Sequence, residues 1–173
     1  MLNIEIKILG VNELNDFRVI RLSALAKAPE MFGSTYSIEV VKPLSFFERC
    51  LSSSTIFGIY HKDRIIGLAT LTRETATKLS HKAYLSSVFI EPEFQGLGIA
   101  NRLLTTVIEH SKQYLEQILL IVADDNQPAI KLYKKFGFQT YGVESKALKN
   151  NAEYTDEILM KLFLASNTCL SSV

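Results

Sequence analysis

Between positions 88 and 100 the chain reads Val88-Phe89-Ile90-Glu91-Pro92-Glu93-Phe94-Gln95-Gly96-Leu97-Gly98-Ile99-Ala100. Branched apolar residues give way to a turn with two glycines, and an amphipathic run begins at Ile99. Glycines let backbone N–H groups approach a ligand closely, and a helix N-terminus adds free donors and partial positive charge, so such a turn suits a pyrophosphate. A tight turn with no ligand is the plainer reading of the same residues. Two familiar phosphate loops do not fit. The Walker pattern requires Lys-Ser/Thr after its last glycine, and the dinucleotide fingerprint requires a third glycine where Asn101 stands.

A second segment, Asn126-Gln127-Pro128-Ala129-Ile130-Lys131-Leu132-Tyr133-Lys134-Lys135-Phe136-Gly137-Phe138, follows an apolar run. It reads Asn-x-x-Ala-x-x-x-Tyr-x-x-x-Gly-Phe, and Gln95, Gly98 and Ala100 read Gln-x-x-Gly-x-Ala. In order and spacing these two motifs resemble the GNAT superfamily of acetyl-CoA-dependent N-acetyltransferases. The stretch Ala28-Pro29-Glu30-Met31-Phe32-Gly33-Ser34 adds a weaker likeness to many bacterial members. The diagnostic residues fall within 83–142, and the rest of the chain matches in outline.

The resemblance implies an α/β (α+β) fold. Its mixed, mostly antiparallel central sheet has about six to seven strands, is splayed between strands 4 and 5, and is flanked by about four helices. It implies acetyl-CoA as cosubstrate, no metal, and direct transfer to an amine in a ternary complex. Val88, Phe89 and Ile90 would offer backbone groups to the pantetheine arm. Backbone amides of Gln95, Gly96, Leu97, Gly98, Ile99 and Ala100 would cradle the pyrophosphate. Asn126 would bond the pantetheine, Ala129 would leave room for it, and Lys131 or Lys134 would meet the 3′-phosphate unless they are simply solvated. Tyr133 would stand beside the thioester sulfur. A phenol near pKa 10 can protonate a departing thiolate, whose thiol has a pKa of about 8.5, only with suitable positioning. A backbone N–H near Ile90 would serve the oxyanion.

A base must also take a proton from the acceptor ammonium, and Glu30, Glu91, Glu93, Asp156 and the histidines are the candidates. His81 lies roughly 30 Å along an extended strand from Ile90, too far for direct transfer. Some members of the family carry a glutamate within the fourth strand, whereas Tyr84-Leu85-Ser86-Ser87-Val88-Phe89-Ile90 has no carboxylate until Glu91. Glu91 as catalytic base and a water chain in its place both remain open, and an acidic residue before proline also reads as a solvated turn. The missing carboxylate motivates an alternative: a non-catalytic acyl-CoA-binding regulatory module. Phe32, Ser34 and Tyr36, with the segment 144–156, are the candidate acceptor contacts, although the aromatic residues equally suit a small core. The acceptor is a small-molecule or peptide amine, a polyamine and a protein N-terminus among the possibilities, and a homodimer is left open.

These residues need a scaffold. The chain has 173 residues, 47% hydrophobic and 21% charged, enough for one domain with a sizeable core. It is read as a single acetyltransferase domain over 1–164 and a loose tail over 165–173. A net charge of +1 argues against nucleic acid as a primary partner. Cys50 and Cys169 have no neighbours at metal-ligand spacing and lie outside both motifs, so neither reads as a nucleophile, a zinc ligand or half of a disulfide framework. The start lacks a secretory pattern and no apolar run spans a bilayer, which predicts a cytoplasmic protein with no membrane partner.

Alternation predicts a strand over 2–9, and Asn12 is placed to cap a helix running to Ala28. Residues 30–41 read as polar and exposed. Ser45-Phe46-Phe47-Glu48 has capping-box spacing and predicts a helix start. Residues 55–60 and 65–72 form a hairpin, 74–81 a loop and 84–90 a strand. A helix carrying Ile99, Leu103, Val107 and Ile108 follows, then a strand over 117–123, a helix over 128–136, and closing strands over 138–143 and 154–163.

Overall fold

The computed structural model describes residues 2–165. Apart from Ala165, the expected tail lies outside the described residues. Seven strands form one sheet: β1 (Ile4–Ile8), β2 (Thr55–His61), β3 (Arg64–Arg73), β4 (Lys82–Ile90), β5 (Gln117–Ala123), β6 (Gln139–Asn150) and β7 (Glu153–Phe163). Their order is β1-β2-β3-β4-β5-β7-β6, and every neighbouring pair is antiparallel except β4 and β5. Helices α1 (Leu14–Lys27), α3 (Leu44–Ser53), α4 (Ile99–Ser111) and α5 (Gln127–Lys135) flank the sheet, and a single turn, α2 (Tyr36–Glu39), lies between the first two.

Two apolar cores result. Phe17, Ile20 and Leu25 of α1 and Phe47 of α3 pack with Ile56, Leu68 and Phe89. Leu103, Leu104 and Val107 of α4 and Ile130 and Tyr133 of α5 pack with Phe57, Ile66, Leu85, Ile118 and Leu120. No helix among the described residues is long and apolar enough to cross a membrane.

Several local expectations are corrected. Asn12 does not cap α1. A 3-10 turn over Val11–Glu13 precedes the helix, and the Glu13 carboxylate accepts from the Gly10 N–H at 2.9 Å. The Ser45 capping box does not form either. Pro43 is the N-cap of α3, with the Phe46 N–H bonded to its carbonyl at 2.9 Å, so Ser45 already sits inside the first turn. Within 30–41, Glu39 is only 4% exposed and holds an ion pair with Arg21 at 2.7 Å. Strand β6 runs to Asn150, well past 143. Its residues are mostly exposed at a sheet edge and carry no alternating apolar signal, so pairing with β7 sets its length.

The β4–β5 pair is brief. Lys82 to Leu85 pair in parallel with Gln117 to Leu120, and the ladder then ends. Beyond it β4 stays paired with β3 as far as Gly67↔Ile90, through a bulge where the register shifts between Leu68 and Thr70. Ser87, in this bulge, has a left-handed φ of 53° and accepts from Arg21 Nη1 at 2.9 Å. Gly67 lets the two strands close: a Cβ there would stand 2.7 Å from the Phe89 carbonyl oxygen. Gly67→Ala should therefore lower unfolding free energy by about 1–3 kcal/mol, read from urea melts at unchanged m-value.

Candidate active site

Each site residue is set by a strand end or a helix start. The chain leaves β4 at Ile90, makes a 3-10 turn over Pro92–Phe94, and enters α4 through Gly96 and Gly98, with φ of 74° and 77°. No atom lies within 4 Å of a Cβ built at either glycine, so the requirement is conformational rather than steric. Gly98 is the N-cap of α4, and the first-turn N–H groups of Ile99, Ala100 and Asn101 lack intrahelical acceptors. Gln95 turns back, its Nε2 donating to the Ile90 carbonyl at 2.9 Å. Leu97 is exposed.

Helix α5 starts at the end of β5. Asn126 is its N-cap, and its Oδ1 accepts from the Ala129 N–H at 3.3 Å. About two turns on, Tyr133 is 7% exposed and packs edge-to-face on Phe138, with ring centroids 5.6 Å apart. Burial pushes its phenol up to about 12. Lys131 and Lys134 are exposed on this helix, and Lys135 is the lysine that reaches α4, donating to Asn101 Oδ1 at 2.9 Å.

Three hollows that share lining residues lie along the parted strands. One of about 290 Å³ follows Ile90, Gln95, Gly96, Gly98, Ile99 and Ala100. A second, about 490 Å³, shares Gln95 with it and is bordered by Phe89, Pro92, Asn126, Glu30 and Met31. The innermost, about 60 Å³, again shares Asn126 and Glu30 and brings in Val88, Ala129, Tyr133, Phe32, Ser86, Ser87 and Glu157. Residues from the two sequence motifs thus line one trench, with the glycine turn at one end and Tyr133 at the other.

The candidate acceptor contacts separate. Phe32 lines the inner hollow and lies under the Arg21 guanidinium at 5.0 Å. Neither Ser34 nor Tyr36, which is exposed at the start of α2, lines the trench. The carboxylates separate too. Glu91 is 4% exposed and turned to α1, its oxygens held by Ser23 Oγ at 2.6 Å and Lys27 Nζ at 2.5 Å, so it is not a solvated turn residue. Glu93 pairs with Arg64 on the surface. Asp156 accepts from the Lys146 backbone N–H at 2.7 Å. Glu30 borders the trench and is exposed.

Glu157 was not among the sequence candidates. Its strand neighbour Asp156 was, and only the pairing of β7 shows which of the two faces the hollow. No group of three or more His, Cys, Asp or Glu suited to a metal occurs among the described residues.

Residues 23–138 match the model of the acetyltransferase (GNAT) family. An L-amino acid N-acetyltransferase of Escherichia coli is 33% identical over 152 residues, covering 86% of this chain and 92% of that protein. A spermidine N(1)-acetyltransferase of the same species is 31% identical over 85 residues, 48% of this chain and 46% of that one. A putative acetyltransferase from Salmonella typhimurium, solved with its cofactor acetyl-CoA, shares the fold with a TM-score of 0.77 at 17% identity, covering 99% of each chain. With both motifs on one trench, a family match across them and a near full-length relative, this chain belongs to the acetyltransferase (GNAT) family and is an acetyltransferase enzyme.

Proposed function

We propose that the protein transfers the acetyl group of acetyl-CoA to a primary amine by direct attack in a ternary complex. The observation that carries this reading is the row of hollows, sharing lining residues, that runs from the glycine turn past Asn126 and Ala129 to the buried Tyr133. The α4 N-terminus suits the pyrophosphate, because its unpaired N–H groups and dipole favour an anion. Beyond Leu85, the β4 backbone groups that point away from β3 have no β5 partner and suit the pantetheine amides and the thioester oxygen. The Ile90 carbonyl and the Glu91 N–H already have partners, Gln95 and the Ile66 carbonyl, which moves these roles upstream toward Val88 and Phe89. With Oδ1 of Asn126 engaged in the cap, its amide N–H groups remain for the ligand.

At neutral pH Tyr133 is fully protonated. Against a thiol near pKa 8.5, a phenol at about 12 makes complete proton transfer uphill by roughly 5 kcal/mol. Tyr133 therefore donates a hydrogen bond to the departing sulfur and passes its proton on only as it gains another from the reacting nitrogen. Glu91, held by Ser23 and Lys27, ties β4 to α1 and takes no part in the chemistry. A small-molecule amine suits the narrow inner hollow, and the near full-length relative bears the name of an amino acid acetyltransferase.

Calorimetric titration with acetyl-CoA, followed by a thiol-release assay over a panel of amines, tests this reading. Binding with amine-dependent thiol release is expected, and absence of both overturns it. Tyr133→Phe should lower kcat on the order of 10²-fold while leaving the acetyl-CoA Kd within about twofold. Gly98→Val, which forces a β-branched residue to positive φ in open space, should raise the Kd for acetyl-CoA and free CoA alike by about 10-fold.

A further inference from the structure

Glu157 stands on β7 at the point where three elements meet. Its register partners are Ala123, the last residue of β5, and Glu144 of β6. It lines the inner hollow opposite the α5 residues Tyr133 and Ala129, and it is half-buried. Among the described residues, none of the ion pairs or side-chain hydrogen bonds engages its carboxylate, in contrast to Glu91, Glu93, Glu39 and Asp156. We infer that Glu157 is the general base of the transfer, receiving the proton that the acceptor nitrogen must lose at the inner hollow. This rests on the acetyl-transfer reading above and assigns the step that the fourth strand, with no carboxylate before Glu91, does not supply.

The surroundings suit that task. Residues facing each other across antiparallel strands have Cβ atoms about 4.5–5.5 Å apart, so Glu144 presents a like charge beside Glu157. Burial and this neighbour hold the Glu157 carboxyl above the ordinary carboxylate range, which makes it a better proton acceptor near neutrality. The other titratable groups facing the hollow are Glu30, exposed at its rim, and Tyr133. No Lys or Arg is among the lining residues, and the nearby strand lysines lie over aromatic rings, Lys146 over Tyr154 and Lys161 over Tyr141. The Arg21 guanidinium, which lies over Phe32 and donates to Ser87 at the wall of the hollow, is paired with Glu39, so the carboxylates that line the hollow favour an ammonium at the reacting end of the acceptor.

The protons balance. Glu157 takes one from the acceptor ammonium, and the free amine attacks the thioester carbonyl, forming the C–N bond. The C–S bond then breaks. The second nitrogen proton reaches the leaving sulfur by way of Tyr133, and Glu157 returns its proton to solvent, so the products are the amide, CoA thiol and one proton.

The test is the pH dependence of kcat at saturating acetyl-CoA and amine, with Kd for acetyl-CoA measured alongside. Glu157→Gln should lose on the order of 10² in kcat and lose the acidic limb of the profile, with Kd within about twofold of wild type. Glu157→Asp should keep the limb at reduced rate. Glu144→Gln should keep most of kcat and move the limb to lower pH, a displacement that a merely structural role would not produce. If Glu157→Gln turns over at the wild-type rate with an intact limb, the assignment of the base falls while acetyl transfer stands. If the wild type binds acetyl-CoA and releases no thiol with any amine, the transfer reading falls and the base falls with it.

Discussion

The active-site trench depends on two parallel strands that pair for four residues and then separate. Buried backbone groups normally find partners, so strands that part leave a row of donors and acceptors that only water or a ligand can satisfy. The separation is held from both sides. Strand β5 is fixed by seven register pairs with β7, and β4 by β3 on its other edge. Arg21 adds a clamp at the bulge: its guanidinium binds the Glu39 carboxylate at 2.7 and 2.9 Å and the Ser87 hydroxyl at 2.9 Å. Ser87 sits at positive φ, which costs a non-glycine residue on the order of 1 kcal/mol, and the clamp from α1 offsets that strain. The opening is thus part of the packed core and does not rely on a mobile loop.

The charges are sorted by the same scaffold. Arg21–Glu39 and Lys27–Glu91 join α1 to the segment after it and to the end of β4, and in each pair the carboxylate is nearly buried. Breaking such a pair would strand a buried charge, so these groups hold α1 against the segments it packs on. Among the described residues, three groups that make no side-chain hydrogen bond meet elsewhere. Tyr133, Glu157 and the exposed Glu30 line the inner hollow from α5, β7 and the turn after α1, where a reacting amine and thioester would meet. Helix α5 supplies both the Asn126 cap and Tyr133, about two turns apart, so a single rigid element sets the spacing between these two residues along the trench.

Much of this was legible in the chain itself. The glycine turn, the Asn126-to-Phe138 segment and the apolar periods around them identify the family and one half of the trench, because contiguous residues on one strand-turn-helix unit carry their geometry with them. Helix α4, β5 and α5 were likewise readable from their periods. The local caps were not. Asn12 falls inside the 3-10 turn that precedes α1 and Ser45 inside the first turn of α3, and the residues at the N-cap positions, Glu13 and Pro43, make no side-chain cap bond, so the helix starts are set by where the backbone turns and not by a capping side chain.

The acceptor half was decided only in three dimensions. Glu91 looked closest to the chemistry along the chain, yet side chains on a strand alternate and this one turned to Ser23 and Lys27 on α1. Asp156 and Glu157 are adjacent in sequence and point to opposite faces, so a one-residue difference in register separates a carboxylate that holds the irregularity in β6 at Lys146 from one that lines the hollow. Sequence determined the two motifs because their parts are local. Which carboxylate faces the substrate depends on the pairing of β7 with β5 and β6, a contact between distant segments that no local pattern encodes.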